Sequence, residues 1–275
     1  RDAELPARRY LRLVLNNATD ESEVSVVQSL LRQASAAAVV FGDPRHRDTA
    51  RGEFARAAEA ALRTVEPASD YQLAWARAFV GAAREPDAVA VVRALLDGTS
   101  SIEGLAVDTD LRWHMVVALA SAGLADDALI DAEAQRDPTD EGLRHATTAR
   151  AARPTEAAKA AAWAAIVDDH SLPLATMEAT MAGFQQPDQE ALLAPYAARF
   201  FDALAAMWQQ RVPEVALSFA EAMYPVCVPS DDVVAMTDRH LGSADVAPPI
   251  HRLLLEGKDQ VERVLRTRAR DAADS

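Results

Sequence analysis

Residues 108–211 read DTDLRWHMVVALASAGLADDALIDAEAQRDPTDEGLRHATTARAARPTEAAKAAAWAAIVDD, then HSLPLATMEATMAGFQQPDQEALLAPYAARFFDALAAMWQQR. This stretch decides the fold, because helix follows helix with connections so short that each must turn back on the last. Leu111, Met115, Leu119 and Ala122 share one helical face, closed by Gly123. Residues 125–135 are expected as the antiparallel partner, burying Ala128, Leu129 and Ala132. Asp137, Pro138 and Thr139 cap a helix that ends at Arg153 and Pro154, and Thr155 opens one with Ala158, Ala162, Trp163 and Ile166 on its apolar side. Leu172 and Pro173 begin another, ending near Gly183. Pro187 is expected to open a long helix through Leu192, Leu193, Tyr196, Phe200, Leu204 and Trp208, kinked or broken at Pro195.

The flanks repeat the pattern. Toward the N-terminus, residues 4–15 carry Leu5, Leu11, Val14 and Leu15 at helical spacing. Thr19 is expected to cap a second helix with Val26, Val27, Leu30, Leu31, Ala34 and Ala38 as its stripe. Gly42, Asp43 and Pro44 separate this from a helix burying Phe54, Ala58, Ala61 and Leu62. Ser69 or Asp70 caps the next, and Pro86 opens another that reaches Gly98. Residues 99–107 are loop and the expected soft boundary in an otherwise single helical domain of residues 1–275. Toward the C-terminus, a helix is expected over 213–224, a short one over 231–241, one after Pro249 and a last one from Lys258, with a frayed DAADS tail. About fifteen helices in consecutive hairpins, with no strand, make an all-α chain. The expected form is an irregular α–α solenoid of HEAT- or armadillo-like pairs without a strict repeat.

Composition agrees with helix. Half of the residues are apolar but only 5% aromatic, so the core is built largely from aliphatic and alanine side chains, and alanine enters a helix at almost no entropic cost. A net charge of −14 argues against a nucleic-acid partner, since phosphate binding needs a positive surface. The single cysteine, Cys227, excludes an intrachain disulfide and fits a reducing cytoplasm. No run is expected to reach the length of a transmembrane helix, so no membrane partner is expected. The chain starts without methionine, and an excised piece of a longer protein is the expectation.

Candidate chemistries fail on spacing. A zinc peptidase helix needs two histidines four residues apart with glutamate beside the first, which sets both imidazoles and a base on one face. The six histidines, His46, His114, His145, His170, His240 and His251, include no such pair, and none precedes glutamate. Asp238 with His240 is too little for another metal site. Asp126-Asp127, Asp168-Asp169 and Asp231-Asp232 sit at helix ends, where capping explains them. Cys227 lies between prolines and valines and reads as an inert thiol. Phe200, Phe201, Tyr196 and Trp208 form an aromatic stripe suited to core packing or, alternatively, to a peptide groove. The basic last helix, with Arg263, Arg266, Arg268 and Arg270, reads as a solvated face.

Three strings carry a resemblance: DTDLRWHMVVALASAG, DAEAQRDPTDEGLRHATTARAARPTEAAKAAAW and MAGFQQPDQEALLAPYAARFFDALAAMWQQR, with RDAELPARRYLRLVLNN at the start. Together they resemble the C-terminal helical domain of actinobacterial aminopeptidase N, a zinc metallopeptidase family that includes the endoplasmic-reticulum aminopeptidases. The resemblance runs over nearly the whole chain. It implies an upstream catalytic domain holding zinc through a His-Glu-x-x-His motif and a distant glutamate, with a Gly-x-Met-Glu-Asn loop for the substrate's amino end. None of these motifs occurs in the 275 residues, so no catalytic, cofactor-binding or metal residue is carried over. It further implies a helical bowl, here without its first helices, that caps the active-site cavity and admits peptides. The expected partners are the parent's catalytic domain and peptide substrates, and the chain by itself is not expected to be an enzyme. The competing reading is a free-standing solenoid scaffold for protein partners; an upstream His-Glu-x-x-His in the same reading frame separates the two. An all-helical enzyme with an unrecognised site ranks third and needs a deep pocket of convergent polar groups.

Overall fold

The computed structural model describes residues 4–243 and 246–274. Among these there are fourteen α-helices and no strand, so the chain is all-α. By contact it divides into two compact units, Arg1–Leu119 with Arg266–Ser275, and Ala120–Leu265. The loop at 99–107 lies inside the first.

The first unit holds α1 (Ala7–Asn17), α2 (Val24–Ala36), α3 (Arg47–Leu62), α4 (Asp70–Ala82), α5 (Pro86–Asp97) and most of α6 (Thr109–Ser121). Its core is Leu11, Val27, Leu31, Phe54, Trp75, Phe79 and Leu111, all under 5% exposed. Several starts follow from local chemistry. Ser69 Oγ accepts the Gln72 amide at 3.2 Å, and Pro86 stands at the first turn of α5, whose end is Gly98 at a left-handed φ of 73°. Thr19 does not cap α2. The helix starts at Val24, because Glu21 folds back to accept the amides of Ser22 and Glu23 and holds that segment out of the helix. Val26 is exposed, and the buried stripe is Val27, Leu31 and Ala34. Helix α2 then continues as a π-helix over Ala37–Phe41, giving an 18-residue apolar span, Val24–Phe41, of mean hydropathy 1.4. That corrects the expectation that no run reaches membrane-spanning length. The extra π turn carries the helix past Ala38, and the span packs on α1, α3 and α4.

The second unit holds α7 (Asp127–Arg136), α8 (Asp140–Ala152), α9 (Glu156–Val167), α10 (Leu174–Phe184), α11 (Glu190–Gln210), α12 (Pro213–Ala222), α13 (Asp231–Leu241) and most of α14 (Pro248–Ala272). Thr139, Thr155 and Ser230 cap α8, α9 and α13 through their side-chain oxygens. Three expectations fail here. Ala128 and Ala132 of α7 face solvent while Ile130 and Glu133 are buried, because the Asp126 cap sets the start and the larger side chain wins the core. Helix α11 starts at Glu190 rather than Pro187 and runs unbroken through Pro195. The two expected C-terminal helices are one 25-residue helix, α14. Gly257, just before the expected start at Lys258, is helical and lies against the Tyr224 ring, where a Cβ would come within 2.6 Å.

Helices α8 and α10 approach more closely than side chains allow at one point. A Cβ on Gly183 would meet the Thr148 carbonyl oxygen at 2.2 Å and the Ala151 Cβ at 2.8 Å. The first obstacle is backbone and cannot swing aside. Gly183→Ala is therefore expected to lose about 1–3 kcal/mol by forcing the pair apart, despite alanine's better helix propensity. Chemical denaturation checks it, and a neutral or stabilising result would show that the pair can separate freely.

The tail of α14 returns to the first unit. Asp271, fully buried, accepts the Arg8 amide and Arg8 Nε at 3.0 Å each and the Asp43 amide at 2.9 Å, and its own carbonyl accepts Arg8 Nη2 at 2.8 Å. Arg268 Nε reaches the Val40 carbonyl at 2.9 Å, and Arg9 pairs with Asp274 at 2.7 Å. The expected fraying of DAADS therefore does not hold for residues 271–274; Ser275 lies outside the described residues, as do Arg1–Ala3. The arginines of this helix are not all a solvated face either, since Arg268 is spent on packing.

Candidate functional site

The titratable groups that invite a catalytic reading are placed by local needs. Asp126 accepts the Leu129 amide at 3.0 Å as the cap of α7, and Asp127 pairs with Arg153 at 2.9 Å. Asp169 accepts the Ser171 hydroxyl at 2.6 Å and its amide at 2.8 Å, which hold its carboxyl below the usual carboxylate range. Asp231 and Asp232 sit in the first turn of α13 at the positive end of its dipole. Asp238 is paired with Lys258. His240 contacts the Met236 carbonyl through Nδ1 at 3.3 Å and lies 4.9 Å from the Phe201 ring centre. His145 stands 4.0 Å from Glu141. Within either unit, no three histidine, cysteine or acidic side chains converge among the described residues.

The second unit is organised around aromatic packing and a buried amine. Phe200 and Phe201 are buried, Phe200 stacks on Phe219 at 5.5 Å, and Tyr196 meets Trp163 at 5.2 Å. Tyr196 and Trp208 are partly exposed, so the stripe is core on one edge and surface on the other. Lys159 has no exposed surface. Its Nζ donates to the carbonyls of Ala151 at 2.9 Å and Phe184 at 3.0 Å, 5.6 Å from the centre of the Phe184 ring. Those carbonyls close α8 and α10, whose last turns have no partners within their own helices. Gln189 does the same nearby, donating to Ser121 and Ala152 carbonyls at 3.0 and 2.8 Å. Burial pushes the lysine pKa down to about 8, against the pull of Cys227 and Asp188.

With its hydrogen-bonding capacity directed at backbone carbonyls, Lys159 ties helix ends together and is not presented to a substrate. Sequence reading missed it. The signal was there: Lys159 stands at i, i+3, i+4 and i+7 with Ala162, Trp163 and Ile166, a lysine on an apolar stripe.

The first unit carries a groove of about 640 Å³ between α2 and α4. Leu31, Phe54, Leu73 and Ala78 give it an apolar floor, and Arg32, Ser35, Arg77 and His114 stand around it. His114 Nε2 lies 3.0 Å from the Arg77 carbonyl, and burial lowers the imidazole pKa, so near pH 7 the ring is neutral and Nε2 donates. The groove offers shape and charge and no nucleophile paired with a base.

A profile of the ERAP1-like C-terminal domain matches residues 1–263. An aminopeptidase N of Streptomyces lividans is 48% identical over 273 residues, which is 99% of this chain and 32% of that protein. The chain thus spans about a third of the length of the curated relative it matches.

Proposed function

Since the chain belongs to the ERAP1-like C-terminal domain family, we propose that it is the non-catalytic helical domain of an aminopeptidase N-like zinc enzyme. In this reading it caps the active-site cavity of a catalytic domain in the same parent chain, which removes N-terminal residues from peptides. The observation that carries the reading is identity of 48% sustained over 99% of the chain. Enclosure would exclude folded proteins and confine the peptide beside the metal, so the domain contributes to selectivity rather than to bond cleavage. Zinc would be held by residues outside this chain and would supply the activated water there. The parent would work in the cytoplasm, where Cys227 stays reduced.

Two measurements test this. The purified 275-residue chain is expected to bind no stoichiometric zinc by elemental analysis and to leave aminoacyl-anilides intact; zinc-dependent turnover by it would overturn the proposal. Deleting the domain from the parent is expected to relax discrimination between short peptides and larger substrates. If size selectivity is unchanged, the gating role fails even though family membership stands.

A further inference from the structure

The continuation of α2 does not end as an α-helix. Its last residues, Ala37–Phe41, form a π turn, which Gly42 leaves in an extended conformation with φ −75° and ψ 161°. A π turn closes its hydrogen bonds one residue later than an α turn, is rare, and persists only where its surroundings hold it. A Cβ on Gly42 would come within 2.9 Å of the Ala37 carbonyl oxygen, five residues back, so the wide turn closes on glycine. The other holding groups come from the far end of the chain. Arg268 Nε donates to the Val40 carbonyl, inside the turn, at 2.9 Å. The buried Asp271 carboxylate accepts the Asp43 amide, just after the turn, at 2.9 Å while it also pairs with Arg8. Beside the turn lies a cleft of about 250 Å³ whose walls include Leu5, Tyr10, Phe41 of the turn and Thr267 of α14. A turn held from outside and bordered by open space has a second arrangement within reach.

We propose that the tail of α14 and this π turn form one two-state switch. With residues 266–274 docked, Arg268 and Asp271 keep Ala37–Phe41 in the π register. With the tail released, α2 runs on as an α-helix, and its carbonyls take partners four residues on in place of five. That change of one residue turns Phe41 on the order of 100° about the helix axis, and the cleft gives the ring room to move. The same rotation carries the Val40 carbonyl away from Arg268. The hydrogen bond between them therefore belongs to the π state alone, and it is this difference in contact that biases the equilibrium.

The test reads the register in the 275-residue chain with para-fluorophenylalanine placed at Phe41 and followed by fluorine NMR. Arg268→Ala is expected to move the fluorine resonance to a new position. The amides of residues 37–42 should meanwhile keep their protection from hydrogen exchange to within about threefold, because a re-formed α turn bonds them again. Arg263→Ala removes an arginine of the same helix that pairs with Asp259, and it should change neither reading. Deleting Val39 takes out the additional residue while the tail stays intact, and it is expected to give the same new resonance. A resonance that Arg268→Ala leaves in place overturns the proposal, since the turn then keeps its register without the tail. A moved resonance with protection lost by about tenfold or more overturns it as well, in favour of a turn that only melts. So does a folded deletion variant that resonates elsewhere. If the deletion variant does not fold, the resonance and the protection in Arg268→Ala still decide, because neither depends on it.

Discussion

Asp271→Ala is expected to lower stability by about 3–5 kcal/mol, the usual cost of removing one partner from a buried ion pair. The reason lies at the start of the chain. Helix α1 begins after Pro6, which has no side chain able to cap it. The Asp271 carboxylate, 263 residues away, accepts the Arg8 amide in that first turn, pairs with Arg8 Nε and takes the Asp43 amide as well. Alanine leaves two amides and a guanidinium without their acceptor, at the positive end of a helix dipole. Asp271→Asn keeps the acceptor oxygen and loses the charge, so an intermediate loss is expected. Urea denaturation measures the size, and hydrogen exchange should place the loosening in α1 and around Asp43. A loss under about 1 kcal/mol, within the range of an exposed pair, would show that the clasp is ornamental.

The second large effect is on pH dependence. Lys159 has its pKa pushed from 10.5 to about 8 by burial, so the folded state releases a proton that the unfolded chain still holds. Below pH 8 both states are protonated and folding carries the full burial penalty. Between pH 8 and 10.5 the unfolded state binds more protons, so stability from this residue rises with pH; above 10.5 both are neutral. The rise amounts to about 3 kcal/mol. Lys159→Met should abolish it, so that the stability of the wild type relative to the variant climbs between pH 8 and 10.5. At pH 7 the substitution relieves the buried charge but strands the Ala151 and Phe184 carbonyls, two effects of similar size and opposite sign, so the net change there should be small. A wild type whose stability relative to Lys159→Met does not climb between pH 8 and 10.5 would show that the amine reaches water.

These two residues mark the limit of what could be read along the chain. The caps Ser69, Thr139 and Thr155 were legible because each bonds an amide three residues away, a relation contained in the sequence itself. Pro86 and Pro213 at helix starts were legible for the same reason. Faces rich in alanine were not: Ala128 and Ala132 were expected inside, yet Ile130 and Glu133 are, since small residues fit either side and only the neighbouring helix chooses. The continuity of α14 was not legible either, since Gly257 within it lies against the Tyr224 ring, 33 residues away in sequence. The groove is further from view still, since it depends on how α2, α3 and α4 splay, and no local pattern encodes a splay.

By itself, then, the sequence determined an all-α chain, most helix boundaries, the lack of a zinc-peptidase histidine motif and the family, because periodicity, caps and long matching strings are local properties. Tertiary structure alone decided that the C-terminal tail is the clasp of the first helix, that a lysine is buried at the meeting of helix ends, and that a groove lies between α2 and α4. Each of those depends on groups far apart in the chain being brought to within a few ångströms, and burial then sets the cost of leaving them unpaired.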